Sequence, residues 1–152
     1  EDLLARVPAK LPVMLDYKTL AESGSLHNTP PCFAIYITGL VLKWLKGLGG
    51  LPAMHAINQK KSSLIYSVID SSGGFYRGHA RPEARSIMNI PFRLPSEELE
   101  DQFVKESKKA DLVGLKGHRS VGGLRASLYN ALPLESAQAL ADFMVEFQRK
   151  NG

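Results

Sequence analysis

Apolar residues recur at helical spacing near the carboxyl end of the chain, where Ala137, Leu140, Met144 and Phe147 are three or four residues apart. Because an α-helix turns once every ~3.6 residues, these four side chains share one face. The pattern predicts an amphipathic helix from about Pro133 to Lys150, with its apolar face turned towards a core.

The middle of the chain predicts further helices. One begins at Ser96, where a serine followed by Glu97 and Glu98 is typical of a helix start, and it runs to about Ala110. Another covers about Pro52 to Asp70, with apolar residues on one side and the Lys60-Lys61 pair on a solvated side.

A further predicted helix starts at Asn28 or Thr29, with two prolines in its first turn, where missing amide donors cost nothing. Its apolar residues surround the helix axis instead of forming one stripe, so we expect it to be buried on most sides. Gly49-Gly50 is expected to end it. We expect Cys32, beside the prolines, to be a small buried residue.

After the helix predicted at about Pro52 to Asp70, the spacing of apolar residues changes from the helical period to the alternation typical of strands. Strands are predicted at Phe75–Arg77, Ile87–Leu94, Leu112–Lys116 and Leu124–Tyr129. Pro91 cannot donate to a ladder, which favours an edge or a bulge for its strand. Single helices alternating with strand pairs predict an α+β fold, with helices packed on a small, mostly antiparallel sheet.

Length and composition bound the possible classes of protein. The chain has 152 residues, 44% of them hydrophobic, which fits one domain over 1–152 with a connector or arm at 1–26 and the main body at 27–152. The longest apolar segment, Cys32–Leu42, is too short for a membrane span. Glu1–Arg6 lacks the features of a secretory signal. These features predict a cytoplasmic protein without a membrane partner.

The charge distribution and the spacing of potential metal ligands limit the kinds of molecule or ion that the chain could bind. The net charge is +4, with basic residues spread along the chain, which suits an anionic small molecule and gives no basic stripe for nucleic acid. The single cysteine, and histidines without partners at ligand spacing, predict no metal site.

Residues 117–127, Gly-His-Arg-Ser-Val-Gly-Gly-Leu-Arg-Ala-Ser, carry the strongest chemical signal. Arginine binds carboxylate and phosphate through a planar fork, so Arg119 and Arg125 together could hold a molecule with two anionic ends, with His118 beside them. The alternative interpretation is two surface charges flanking an ordinary glycine turn.

Residues 27–31, His-Asn-Thr-Pro-Pro, precede a predicted helix. Unpaired amides and the positive end of a helix dipole can bind an anion there, which makes Asn28 and Thr29 candidate ligands. A plain helix cap followed by proline is the alternative.

These two strings, together with residues 88–93 (Met-Asn-Ile-Pro-Phe-Arg) and 40–45 (Leu-Val-Leu-Lys-Trp-Leu), resemble the carboxy-terminal part of the phosphoserine aminotransferases, a class-V, fold-type-I family that uses pyridoxal 5'-phosphate. The resemblance covers essentially the whole chain. It implies the small domain of that fold with its preceding long helix. It also implies amino transfer between glutamate and 3-phosphohydroxypyruvate, in serine and vitamin B6 biosynthesis.

The resemblance also implies roles for particular residues. Arg125 would bind the substrate α-carboxylate, and His118 and Arg119 the phosphate of phosphoserine or the side-chain carboxylate of glutamate. Asn28 and Thr29 would reach the cofactor phosphate of the neighbouring subunit in a homodimer.

The family's Schiff-base lysine lies upstream of the matched part, and Lys116 is not that lysine. We therefore expect no catalytic residue in this chain, little retention of the cofactor by it, and no transaminase activity from it alone. A rival hypothesis is a free-standing, non-catalytic domain that binds anions or a partner.

Overall fold

The computed structural model describes residues 4–6 and 10–152. Residues 1–3 and 7–9 lie outside the described part, and with them a portion of the expected arm and of the segment read for a secretory signal. The chain divides into two compact units, residues 1–44 and 45–152. The expectation of one domain with an arm at 1–26 stays a prediction.

The first unit begins with short helical segments. Two 3-10 turns, Leu4–Arg6 and Val13–Leu15, precede helix α1 at Tyr17–Glu22. Asp16 caps α1, because its carboxylate accepts from the Lys18 amide at 3.0 Å and from the Thr19 hydroxyl at 2.6 Å. These bonds lower the pKa of Asp16, and the Thr19 hydroxyl contributes most.

Helix α2, Cys32–Gly47, contains the long apolar segment. Pro30 and Pro31 precede it, and the Pro31 carbonyl accepts from the Ile35 amide at 3.0 Å. The expectation that this helix is buried on most sides is wrong for the described chain: none of its residues is buried, and Phe33 is 77% exposed. Cys32 is exposed too, against expectation. An apolar surface is buried only where a second layer covers it, and the described residues supply none here.

Helix α3, Gly50–Ser71, confirms the predicted helix at 52–70. It follows Gly49, whose φ of 100° only glycine adopts easily. Lys60 is exposed as predicted, but Lys61 is wholly buried and its ammonium group donates to the carbonyls of Tyr129 and Leu132 at 2.8 and 3.1 Å. The expected solvated face is therefore wrong for Lys61, because its side chain is buried and its ammonium group bonds to these two carbonyls.

The sheet is antiparallel and three-stranded, in the order β1 (Arg77–Gly78), β2 (Asn89–Arg93), β3 (Leu124–Ser127). The register pairs Arg77 with Arg93 on one side of β2, and Pro91 with Arg125 on the other. The strand predicted at 112–116 is reduced to a single bridge between Lys116 and Leu124.

Pro91 lies in the central strand, so the expected edge or bulge is wrong. Its carbonyl accepts from the His79 amide at 3.3 Å, but proline has no amide hydrogen for the reciprocal bond. The ladder between β1 and β2 ends at the preceding pair, Gly78 with Phe92. A central strand thus accommodates proline because its neighbour stops at that point.

Two helices complete the second unit: α4 at Glu97–Lys109 and α5 at Leu134–Asn151. Both confirm their predictions, and Ser96 caps α4 by accepting from the Leu99 amide at 3.3 Å. The core lies between the sheet and these helices, and its aromatic centre is Phe103, whose ring lies 5.0 Å from those of Phe143 and Phe147. The small α+β fold expected from the pattern is confirmed.

Within residues 4–6 and 10–152, no single helix has both the length and the apolar character needed to cross a membrane. Only α2 and α3 taken together reach that threshold, and the chain bends by 79° between them.

Candidate functional site

The loop from Gly117 to Gly123 is closed at its neck by a bond from the Gly117 amide to the Gly123 carbonyl, 2.8 Å long. Inside the loop, the amides of Val121 and Gly122 donate to the His118 carbonyl at 2.9 and 2.7 Å. These bonds fold residues 118–122 into a compact turn, so His118 and Arg119 are held on a defined stretch of backbone.

Gly123 allows this loop to lie against strand β2. Its φ is +68°, and a Cβ at this position would stand 2.9 Å from the Phe92 carbonyl oxygen and overlap the Arg93 side chain. A glycine is therefore required both by the backbone conformation and by the close approach of the neighbouring strand.

A cleft of about 500 Å³ lies between this loop and helix α4. The loop side carries basic groups, and the helix side carries carboxylates. Its charged and imidazole-bearing lining residues are Arg93, Glu97, Glu100, Asp101, Lys116, His118 and Arg119. An anion in this cleft would be attracted to the loop side and repelled by the helix side.

His118 is oriented by its neighbour Ser120. The Ser120 amide donates to His118 Nδ1 at 3.3 Å, and the Ser120 hydroxyl oxygen lies 2.7 Å from the same nitrogen. Because Nδ1 accepts from an N–H, the proton of the neutral ring is on Nε2. The imidazole therefore presents a donor on the side that Ser120 leaves open.

Arg119 and Lys116 are both exposed on the loop side of the cleft. Within the described ranges 4–6 and 10–152, no hydrogen bond or ion pair engages Arg119. Its whole guanidinium fork is thus available to an incoming carboxylate or phosphate.

Arg125 lies elsewhere and is not among the residues lining this cleft. Burial alternates along β3: Leu124 and Ala126 face the core, and Arg125 and Ser127 face the opposite side of the sheet. The Arg125 Nε is buried without a hydrogen-bond partner among the described residues. A buried donor of this kind is costly unless an acceptor from outside these residues reaches it.

Asn28 and Thr29 lie in the first unit, just before α2, and both are exposed. The Asn28 amide group donates to the thioether sulfur of Met14 at 3.3 Å. Sulfur is a weak acceptor, so this bond leaves the amide able to bind a stronger one.

The predicted site residues are therefore only partly brought together. His118 and Arg119 share the cleft, Arg125 lies on the sheet face beyond it, and Asn28 and Thr29 belong to the other unit. Their roles towards substrate and cofactor stay predictions.

Comparison with known proteins decides the family. The model of the class-V aminotransferases matches residues 10–140. The chain belongs to the class-V aminotransferase family.

Among the relatives of this class-V chain is the phosphoserine aminotransferase of Lysinibacillus sphaericus, 57% identical over 99% of the chain. The solved phosphoserine aminotransferase of Bacillus circulans subsp. alkalophilus is 58% identical over the whole chain, with a TM-score of 0.91. A structure described as pyridoxal-phosphate-bound phosphoserine aminotransferase from Trichomonas vaginalis is 40% identical over 95% of the chain, with a TM-score of 0.82.

The chain spans about 42% of the length of the bacterial relatives and 41% of the Trichomonas protein. The predicted resemblance to phosphoserine aminotransferases is confirmed by these matches.

Sequence reasoning missed two basic residues that line this cleft, Lys116 and Arg93. The sequence argument treats Lys116 only as a rejected candidate for the Schiff-base lysine, although Lys116 forms the bridge to Leu124 and directly precedes the loop. Arg93 was given no role, although the alternation along β2 places it on the same sheet face as Pro91, opposite the buried Phe92. That alternation, combined with the glycine pair at 122–123, was the available signal.

Proposed function

We propose that this chain is part of a phosphoserine aminotransferase that transfers an amino group between glutamate and 3-phosphohydroxypyruvate. The observation that carries the proposal is the shared cleft of His118 and Arg119, with an open guanidinium fork and an Nε2 donor on one loop. Relatives with this name at 57 and 58% identity support the same reaction.

The two ends of the substrate would be bound by different parts of the second unit. Arg119 and His118 would hold the distal phosphate of phosphoserine, or the side-chain carboxylate of glutamate. Arg125 would hold the α-carboxylate, and its unpartnered Nε supports an acceptor arriving from outside the described residues. Charge-assisted bonds of this kind contribute about 1.5 to 3 kcal/mol each.

Pyridoxal 5'-phosphate is the proposed cofactor of the whole protein, supplying the electron sink for amino transfer. Asn28 and Thr29 fit a phosphate group, since both are exposed and the Asn28 amide is engaged only by a weak sulfur acceptor within the described residues. They would orient the cofactor through its phosphate. We further propose that this contact is made to a neighbouring subunit in a homodimer, and that the enzyme works in the cytoplasm.

The exposed apolar side chains of α2 support such an assembly. Phe33, Tyr36 and Leu42 are 77, 62 and 59% exposed. A helix this apolar is normally covered by protein, either by other parts of the same polypeptide or by a second subunit.

A chimera tests the proposed function. Residues 1–152 would replace the matching segment of the Bacillus circulans enzyme, which they cover completely at 58% identity. We expect the purified chimera to convert glutamate and 3-phosphohydroxypyruvate to phosphoserine within about tenfold of the parent rate, a change of ~1.4 kcal/mol in activation free energy.

The isolated chain is the control, and we expect no turnover from it. A chimera that folds and binds the cofactor but produces no phosphoserine would overturn the proposal. If, in addition, the isolated chain bound inorganic phosphate, the rival non-catalytic anion-binding domain would be supported.

A further inference from the structure

Arg93 connects three parts of the second unit. Its Nε donates to Glu100 of α4 at 2.7 Å, and one terminal nitrogen donates to the Val121 carbonyl in the loop at 3.3 Å. Glu100 is buried and also accepts from the Leu94 amide at 3.2 Å. Its carboxylate is therefore held in place and fixes the guanidinium group of Arg93. Arg93 is thus anchored to the helix and in contact with the loop that carries His118 and Arg119.

The glycine neck of the loop packs on the same side chain. A Cβ on Gly123 would overlap Arg93, and one on Gly122 would come within 3.4 Å of its terminal nitrogen. The loop therefore rests on Arg93 along two consecutive residues as well as through the Val121 carbonyl. No other side chain donates to the backbone of residues 117–123 from outside the loop, among the residues that the structure describes.

Arg93 is also tied to the strand that carries Arg125. The register pairs Pro91 with Arg125 and Phe92 with Leu124, so Arg93 stands opposite Gly123. Arg93 and Arg125 lie on the same sheet face and are diagonal neighbours, for which backbone separations are about 7–8 Å. Arg93 therefore contacts the loop and is also a near neighbour of Arg125 on the sheet.

We propose that Arg93 is a positioning residue: it fixes the anion-binding loop of His118 and Arg119 at a set distance from Arg125, and so matches the site to substrates with two anionic ends. This inference rests on the proposed function and deepens it. A misplacement of about 1 Å in such a site can cost up to ~100-fold in activity. Removal of Arg93 would allow the loop to move while Arg119 kept its charge.

The test uses the chimeric holoenzyme with Arg93→Ala, Arg93→Lys and Glu100→Gln. We expect Arg93→Ala to raise KM for phosphoserine and for glutamate about 10- to 100-fold, with a much smaller change in kcat. Arg93→Lys should recover part of the loss, and Glu100→Gln should change KM in the same direction because it loosens the guanidinium. Arg81→Ala is the matched control, since Arg81 is 84% exposed and pairs only with exposed Glu83 among the described residues.

A second readout does not depend on turnover. The His118 ring proton resonances, and the affinity for inorganic phosphate, would be measured by NMR titration of the chimera. We expect Arg93→Ala to shift those resonances and weaken phosphate binding at least about tenfold, and Arg81→Ala to change neither.

The two proposals fail in different ways. A chimera without turnover whose His118 resonances still respond to Arg93→Ala would reject the proposed reaction and support the positioning role. An active chimera in which folded Arg93→Ala keeps KM, phosphate affinity and the His118 resonances unchanged would reject the positioning role alone. If Arg93→Ala does not fold, Arg93→Lys and Glu100→Gln decide by the same readouts.

Discussion

Arg125 lies in a strand whose side chains alternate between the core and the opposite face of the sheet. Its neighbours Leu124 and Ala126 are 1% exposed in the core, while its own guanidinium emerges on the opposite face with a buried, unpartnered Nε. A buried donor that lacks a partner is stabilised when an acceptor arrives, so this position favours a ligand carboxylate.

Replacing Arg125 should therefore impair both amino donors. In the chimera, we expect Arg125→Ala to raise KM about 10- to 100-fold for phosphoserine and for glutamate alike, as both have an α-carboxylate and each charged hydrogen bond contributes about 1.5 to 3 kcal/mol. Steady-state kinetics with each donor checks this. A profile equal to that of the parent chimera would remove Arg125 from the site.

Gly123 gives a prediction about stability. We expect Gly123→Ala to lower the free energy of unfolding by about 2 to 4 kcal/mol, combining the strain of a left-handed backbone with the clash against the rigid Phe92 carbonyl. Gly73→Ala is the matched control, because its φ is +61° and a Cβ there would meet nothing within 4 Å. Urea denaturation of the isolated chain measures both. Equal losses in the two variants would show that the clash contributes nothing.

Residue types and their spacing made His118, Arg119 and Arg125 candidate anion ligands, because two guanidinium groups beside a glycine pair form a local sequence signal, and their roles stay predictions. They did not reveal that Lys61 is buried or that Arg93 supports the loop. Both properties depend on partners distant in sequence: Lys61 meets carbonyls 68 and 71 residues away, and Arg93 meets Val121 28 residues away. Tertiary contacts of this kind override local helix or strand patterns.

At the scale of elements, two buried polar side chains of α3 join this helix to the turn after β3. Lys61 donates to the carbonyls of Tyr129 and Leu132, and Asn58 donates to the side chain of Asn130 at 2.8 Å. The turn that leads from β3 into α5 is thereby fixed to α3, which in turn fixes the end of the strand carrying Arg125.

Lys61→Met tests this connection. We expect the free energy of unfolding to fall by about 1 to 3 kcal/mol, since methionine fills the volume but leaves two carbonyls without their donor. The exposed neighbour Lys60 supplies the control, and Lys60→Met should change stability by less than about 0.5 kcal/mol. Chemical denaturation at neutral pH makes the measurement, and equal values for the two variants would contradict the role given to Lys61.

The same residue predicts a pH dependence. Burial lowers the pKa of Lys61 below its usual 10.5, so between the folded and unfolded pKa values the unfolded chain binds more protons than the folded one. Stability contributed by Lys61 must therefore rise with pH through that window, up to about 10.5. We expect the wild-type chain to gain stability relative to Lys61→Met as pH increases from 8 towards that value. A difference independent of pH would contradict the lowered pKa.

Long periodic elements were predictable and short ones were not. Helices α3, α4 and α5 match their predictions because each has many apolar positions that recur at helical spacing on the side facing the core. The segment at 112–116 has the composition of a strand, but only Lys116 forms a bridge, and Leu115 receives a single bond from the Arg125 amide at 2.8 Å. Strand pairing depends on the length of the partner, which composition does not reveal.

At the scale of the whole molecule, the exposed apolar helix α2 dominates the behaviour expected in solution. We expect the isolated 152-residue chain to self-associate with increasing concentration, and replacement of Phe33, Tyr36 and Leu40 by serine to suppress this. Sedimentation velocity at several concentrations checks the prediction, with Val145→Ser on α5 as the control, since Val145 is 55% exposed. Concentration-independent sedimentation of the unmodified chain would refute it.

The candidate residues come from separate units of the described chain. Sequence strings singled out Asn28 with Thr29, which lie in residues 1–44, and His118, Arg119 and Arg125, which lie in residues 45–152. A local pattern marks residue types and spacing within one segment, so the sequence predicted candidate ligands, and their roles towards substrate and cofactor stay predictions.

The proline in the central strand has a further consequence, for unwanted association between molecules. Since β1 has only two residues and β3 is flanked by the Lys116 bridge, neither edge of the sheet offers a long row of free amides and carbonyls within residues 4–6 and 10–152. Intermolecular strand addition, the first step towards fibrils, needs such a template. Aggregation of this polypeptide should therefore proceed through apolar helical surfaces. The aggregates should keep the helical circular dichroism spectrum of the native chain and show no gain of cross-β signal.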